Sequence, residues 1–297
     1  MANSVLNTVE WSKRFVNRRP LANGNFLEPA VTNANIILQT ILGAPFRWRW
    51  NRVVTGFITV AGQQDYTVFN WAATTDVKLG FVLVDSSGFS QQVTTAGITG
   101  SSIPTFNATP AGTTTDGTAV WTNIGSIGVG GVSSTYSFDW IENASVKDTG
   151  WMQMSSKIDL ALESGQGRPQ FIAAEFNDTS GNVTFRLMPA PDKAYPVAIT
   201  IQQKPPVIDG LNSTWSPIPD EYSRLYNWGF LALTYLYADD PRFGAANQKF
   251  IANMLSTAGG LSETEMNIFL NNWQAVTGAP TTLAANLQQG RQGRGNL

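Results

Sequence analysis

Apolar residues recur with a helical period near both ends of the chain and with strand-like alternation through its middle. Val5, Val9 and Phe15, set among polar positions, predict a short helix that ends before Arg18-Arg19-Pro20. A turn at Asn23-Gly24-Asn25 follows. Pro29 then opens a second helix on which Val31, Ala34, Leu38, Ile41 and Leu42 recur at helical spacing, and Gly43 and Pro45 end it. In the next segment Phe46, Trp48 and Trp50 alternate with Arg47, Arg49 and Asn51, so an extended backbone places the rings on one side and the polar groups on the other.

Strand-like runs continue at 53–60 and 65–69, around a Gly62-Gln63-Gln64 turn. From Trp71 to Gly131 the composition changes to Thr, Gly and Ser, with Lys78 as the only basic residue against Asp76, Asp85 and Asp116. Within it, 80–85 and 90–95 read as a hairpin around Ser86-Ser87-Gly88, and 118–123 as a closing strand. Further strands are expected at 136–146, 156–162, 171–176, 183–188 and 195–202, forming an antiparallel meander. Lys204-Pro205-Pro206 leaves the sheet, because neither proline can donate to a ladder.

The C-terminal part returns to a helical period. Between Pro217 and Phe243, Pro219 presets a first helical turn, Asp220 and Glu221 complement its dipole, and Pro241 stops a helix of about five turns. From Trp228 to Ala238 this helix is apolar nearly all round, which predicts contact on several sides, between layers of its own fold or between subunits. The run is about half the length needed to cross a bilayer, so no membrane role is expected. A helix over 244–256 follows. Ser262-Glu263-Thr264-Glu265 is a capping box that starts another, running through Phe269 and Trp273 to Gly278.

These elements predict an α+β fold: a helical bundle of two N-terminal and about three C-terminal helices, an antiparallel β meander, and an inserted small all-β module. The corresponding division is 1–70 with 136–280 as the core, 71–135 as the insert and 281–297 as an extended arm. The arm is polar, and a neighbouring subunit is the expected partner that would order it.

Composition narrows the chemistry. The chain has 297 residues, no cysteine and no histidine, which excludes disulfides, thiolate or imidazole zinc sites, and triads that need histidine. Only 13% of residues are charged and the net charge is −2, so the surface suits either packing against copies of itself or a β-rich protein with a Thr/Asn/Ser/Gln exterior. Polar residues 1–16 lack the apolar stretch of a secretory signal. The paired carboxylates Asp220/Glu221 and Asp239/Asp240 are the candidates for glycoside hydrolysis, but both pairs sit at helix ends, where capping accounts for them. The expectation is a protein that is not an enzyme, with no cofactor and no metal.

Two aromatic groups remain. The Arg/Trp segment either stacks on single-stranded nucleic acid or buries its rings and leaves its arginines at a wet or subunit-facing surface. Trp71, Phe106 and Trp121 either stack on a sugar ring or fill the core of a module too small to have any other. The runs 93–100, 103–107 and 113–122 resemble a small β module found inserted in phage virion proteins, and such modules look like carbohydrate-binding or surface-decoration domains.

Five stretches in order carry a wider resemblance: Phe46-Arg47-Trp48-Arg49-Trp50-Asn51-Arg52, Gly165-Gln166-Gly167-Arg168-Pro169, Thr184-Phe185-Arg186-Leu187-Met188-Pro189, Tyr195-Pro196-Val197, and Pro217 to Phe243. Together they resemble the head-to-tail adaptors of tailed bacteriophages, of the tail tubular protein A type. The resemblance implies a virion neck protein that forms a dodecameric homo-oligomeric ring. The ring would bind the portal protein on one side and a tail nozzle or other tail protein on the other, and pass DNA without reading it. Arg47, Trp48, Arg49, Trp228, Phe230, Tyr235, Tyr237, Arg291 and Arg294 are the residues expected at subunit or portal interfaces. The alternative is a glycan-binding decoration protein acting through the insert, with Trp71, Phe106 and Trp121 as contacts.

Overall fold

The computed structural model describes residues 4–16, 27–128, 138–146, 150–155, 165–176, 183–259 and 261–278. It is a mixed α+β protein with five helices and a large mixed sheet among these residues. The chain divides into two compact units, 1–51 with 204–297, and 52–203. These boundaries differ from the expected division at 70/71 and 135/136.

The first unit is helical. It comprises α1 (Val5–Ser12), α2 (Leu27–Leu42), α3 (Ser223–Tyr237), α4 (Phe243–Ala258) and α5 (Glu263–Thr277). Ser4 caps α1, its side chain accepting from the Asn7 N–H. The capping box of α5 forms as the sequence predicts: the Glu265 N–H donates to Ser262 Oγ at 3.3 Å, and the Ser262 N–H donates to Glu265 Oε2 at 2.9 Å. The Ser262 N–H first, and then the Ser262 hydroxyl donating to the same oxygen at 2.8 Å, hold the Glu265 pKa below the ordinary range. Gly278, at φ 65°, ends the helix in the left-handed conformation that glycine adopts without strain.

Side-chain hydrogen bonds join the two distant ends of the chain in this unit. Asn35 on α2 donates to the Ile208 carbonyl and accepts from the Ile208 N–H, both at 2.8 Å. The Trp215 indole donates to Thr8 on α1 at 2.9 Å. The core beneath them is built from Ile37, Leu38 and Ile41 of α2, Phe230 and Leu233 of α3, Phe250 and Met254 of α4, and Phe269 and Trp273 of α5.

Helix α3 lies at the centre. Leu225, Tyr226 and every residue from Gly229 to Tyr235 are buried, with α1, α2 and α4 of the same chain around the helix. A Cβ on Gly229 would stand 2.7 Å from Ile37 Cδ1 and 2.8 Å from Phe250 Cε2, so any larger side chain would force those two residues to shift. The all-round apolarity of α3 is therefore explained by helices of its own chain, so of the two alternatives the sequence left open, layers of its own fold and sister subunits, the first holds. The helix is also shorter at its start than predicted: residues Asp220–Tyr222 form a 3₁₀ turn, and the α-helix begins at Ser223.

The second unit is a sheet. Its strands are β1 (Arg52–Ile58), β2 (Asp65–Val68), β3 (Asp76–Val77), β4 (Val82–Val84), β5 (Phe89–Thr95), β6 (Gly97–Ile98), β7 (Thr113–Asp116), β8 (Ala119–Ser126), β9 (Phe138–Val146), β10 (Gly150–Ser155), β11 (Gln166–Gly167), β12 (Phe171–Phe176), β13 (Val183–Met188), β14 (Ala190–Pro191) and β15 (Pro196–Gln203). Eleven of them make one sheet in the order β1-β15-β9-β10-β12-β13-β2-β4-β5-β8-β7. This is not the expected antiparallel meander. Strand β15 returns to lie between β1 and β9, and the pairs β10/β12 and β2/β4 are parallel. The strand expected at 156–162 lies outside the described residues. Gly56 permits the β1/β15 pairing, since a Cβ there would fall 1.9 Å from the Val197 carbonyl oxygen.

Strand β4 explains why the insert is not separate from the sheet. It joins β2 through the Val68/Val82 pair and a 2.8 Å bond from the Phe69 N–H to the Val82 carbonyl. Successive strand residues face opposite sides. Val82 and Val84 thus enter the main β core with Phe57, Phe185 and Ile199, while Leu83 enters a second core with Phe69, Val77, Val93, Ala119 and Trp121. The insert keeps a small core of its own and shares the ladder.

Candidate functional site

The small second core leaves a cleft beside it. Its architecture begins with Asp85, which follows β4 and organises the turn to β5. Asp85 Oδ1 accepts from the N–H groups of Ser87 and Phe89 at 2.9 and 3.0 Å, and Oδ2 accepts from Gln91 Nε2 at 2.8 Å. Gly88, at φ 80°, completes the turn that the sequence reading placed here. On the other side the loop carrying Phe106 is pinned at Asn107, whose carbonyl accepts from Asn123 Nδ2 at 2.7 Å.

Asp116 holds the aromatic wall. This buried carboxylate accepts from the Trp71 indole at 2.8 Å and the Trp121 indole at 3.2 Å on Oδ2, and from the Gly100 N–H at 2.7 Å on Oδ1. Between these supports lies a cleft of about 260 Å³ lined by Phe69, Trp71 and Phe106 and by the polar residues Asn70, Asp85 and Ser86.

Two of the three aromatic residues expected at a ligand surface meet in this cleft. Trp71 and Phe106 are half-buried and line it. Trp121 is fully buried, packed edge-on against Phe106 at 5.9 Å and stacked with Phe69 at 6.1 Å. It is a core residue, which corrects its assignment as a contact. The sequence reading did not identify Asp85 or Ile103 as lining the site, although the Ser86-Ser87-Gly88 turn next to Asp85 was a visible signal.

In the helical unit the residues expected at interfaces divide by burial. Phe230 and Tyr235 are core residues of α3, at 0% and 5% exposure, and Trp48 is 6% exposed with its indole donating to the Ile41 carbonyl at 2.6 Å. As surface contacts these three are corrected. Arg47 and Arg49 are exposed. Residues 46–50 are not a strand, and Arg49–Asn51 forms a 3₁₀ turn. Even so, the rings make one continuous ladder: Phe46 to Trp48 at 5.5 Å, Trp48 to Trp50 at 5.1 Å, and Trp50 to Tyr222 at 6.0 Å. Asn51, expected with the arginines, is buried instead.

Trp228 is half-buried, edge-on to Trp11 at 5.6 Å with the Lys249 ammonium 4.4 Å from its ring centre. Tyr237 is 61% exposed. Arg291 and Arg294 lie outside the described residues. The carboxylate pairs behave as local structure: Asp220 and Glu221 occupy the 3₁₀ turn before α3, and Asp240 receives Arg242 through Nε and Nη2 at 3.0 and 2.7 Å. Among the described residues no cluster of His, Cys, Asp and Glu could hold a metal ion, and no helix is long and apolar enough to cross a membrane.

Compared with known proteins, the chain matches no family model and no curated protein.

Proposed function

We propose that this chain is a structural subunit of a phage neck, a head-to-tail adaptor. Its copies assemble into a dodecameric ring between the portal and the tail, and the genome passes through the ring without sequence-specific contact. In this reading the helical unit is the adaptor's bundle and the sheet its β portion. The observation that carries it is the two-ended helical unit, with two helices from before the β region and three from after it sewn together through Asn35 and Trp215. That arrangement accords with the order of the five stretches that resemble the adaptor family.

Because α3 is enclosed by its own chain, the ring contacts are assigned to what remains at the surface. Those residues are Arg47 and Arg49 at the edge of the aromatic ladder, Trp228, Tyr237, and the exposed Ile268 and Val276 of α5. The low surface charge supports repeated contact with identical copies, since little repulsion opposes it. The test is the mass of the purified chain, alone and mixed with the portal of the same phage, by native mass spectrometry. A ring alone or on the portal is the expected result. A monomer that ignores the portal at every ratio overturns the proposal.

A further inference from the structure

We infer that the cleft between Trp71, Phe106 and Asp85 is a binding site for a neutral saccharide, taking one pyranose ring at the end of a glycan. Three observations converge on that ligand class. The first is the wall. Trp71 cannot turn away, because its indole N–H is committed to buried Asp116, and Phe106 is backed by Trp121. A half-buried indole and a phenyl ring at the mouth of a cleft offer negative ring faces, which attract the weakly positive C–H face of a sugar.

The second is the polar floor. Asp85 Oδ2 accepts a single hydrogen bond, from Gln91, where a carboxylate oxygen has two lone pairs. Gln91 lies behind Asp85, fully buried, and fixes the carboxylate in place. A cleft-lining carboxylate oxygen with a spare lone pair calls for a hydroxyl donor. A sugar hydroxyl meets that need, whereas an apolar side chain leaves it unmet.

The third is charge and size. Among the described residues none lining the cleft is basic and Asp85 is acidic, so a phosphate meets no cation there and nucleic acid is disfavoured. At about 260 Å³ the cleft is below the range of roughly 300–1,000 Å³ typical of drug-sized ligand sites, which fits a single terminal ring. A site that holds a single ring makes few contacts and binds weakly.

The inference is independent of the adaptor assignment, for a chain that never forms a ring can still hold a sugar. The full chain is titrated with the methyl glycosides of glucose, galactose, N-acetylglucosamine and mannose and their disaccharides, read by saturation-transfer NMR. At least one is expected to receive saturation on its ring C–H protons. Phe106→Ala should weaken that glycoside by about tenfold. Ile103→Glu should weaken it similarly. Ile103 lines the cleft but is 63% exposed, so this variant keeps the fold, checked by circular dichroism. Three results overturn the inference: no glycoside in the panel binds, binding persists unchanged in both folded variants, or oligothymidylate or a hydrophobic tripeptide occupies the cleft while the sugars do not.

Discussion

Helix α3 and the cleft beside β4 both carry dense aromatic sequence, and they use it in opposite ways. Around α3, helices α1, α2 and α4, together with Trp215, supply enough surface that Phe230 and Tyr226 are buried. Beside β4, a core of six buried residues is too small to enclose every ring, so Trp121 is buried while Trp71 and Phe106 remain half-open. An apolar run therefore signals a partner molecule only when its own fold lacks the surface to cover it. By that criterion the cleft, not α3, is the place to look for a ligand.

The largest expected effect breaks the comparison directly. Phe230→Ala should lower the stability of the helical unit by about 4 kcal/mol, the cost of a large buried ring and the cavity it leaves. Tyr237→Ala, two turns on at 61% exposure, should change it by less than about 0.5 kcal/mol. Denaturant unfolding followed by helical circular dichroism reads both. Equal, small effects would mean that α3 is not a core helix in the isolated chain.

In the β unit, Asp116→Ala should cost about 3 kcal/mol. It strips one buried carboxylate from two indole N–H groups and a backbone N–H, each of which then stands without its acceptor. The same variant should release Trp71, so its fluorescence should shift toward that of a solvated indole. A loss of stability without that shift would detach Trp71 from the support assigned to it here. Gly229→Ala should be milder, about 1–2 kcal/mol. The added methyl crowds Ile37 and Phe250, and alanine's better helix propensity offsets part of that cost.

How much of this was legible beforehand follows the range of the interactions. The α5 capping box depends on residues three apart and forms as read. The turn read at Ser86-Ser87-Gly88 forms there, although the part Asp85 plays in holding it was not read. The alternation of rings and arginines in 46–50 separated them correctly even without a strand, because the rings stack whichever backbone carries them. What failed was long-range. Nothing local to Pro196–Gln203 says that it inserts between β1 and β9, and nothing local to Trp228–Ala238 tells a sister helix from a sister subunit. The composition change at Trp71 is real, but Val82 carries the sheet across it with a single residue pair.

The smallest expected effect has the opposite sign, and for that reason discriminates best between a finished core and a site. Tyr226 stacks on Trp215 at 4.6 Å, and its hydroxyl is buried with no hydrogen-bond partner among the described residues. Burial pushes its pKa well above the usual tyrosine range, with the charge of Asp220 adding to the shift. If that hydroxyl serves only as an uncompensated polar atom in the core, Tyr226→Phe keeps the stack, removes the desolvation cost, and stabilises the helical unit by up to about 1 kcal/mol. A loss of stability of similar size would show that the hydroxyl has a partner, and the contrast between a self-sufficient α3 and an incomplete cleft would then weaken from the α3 side.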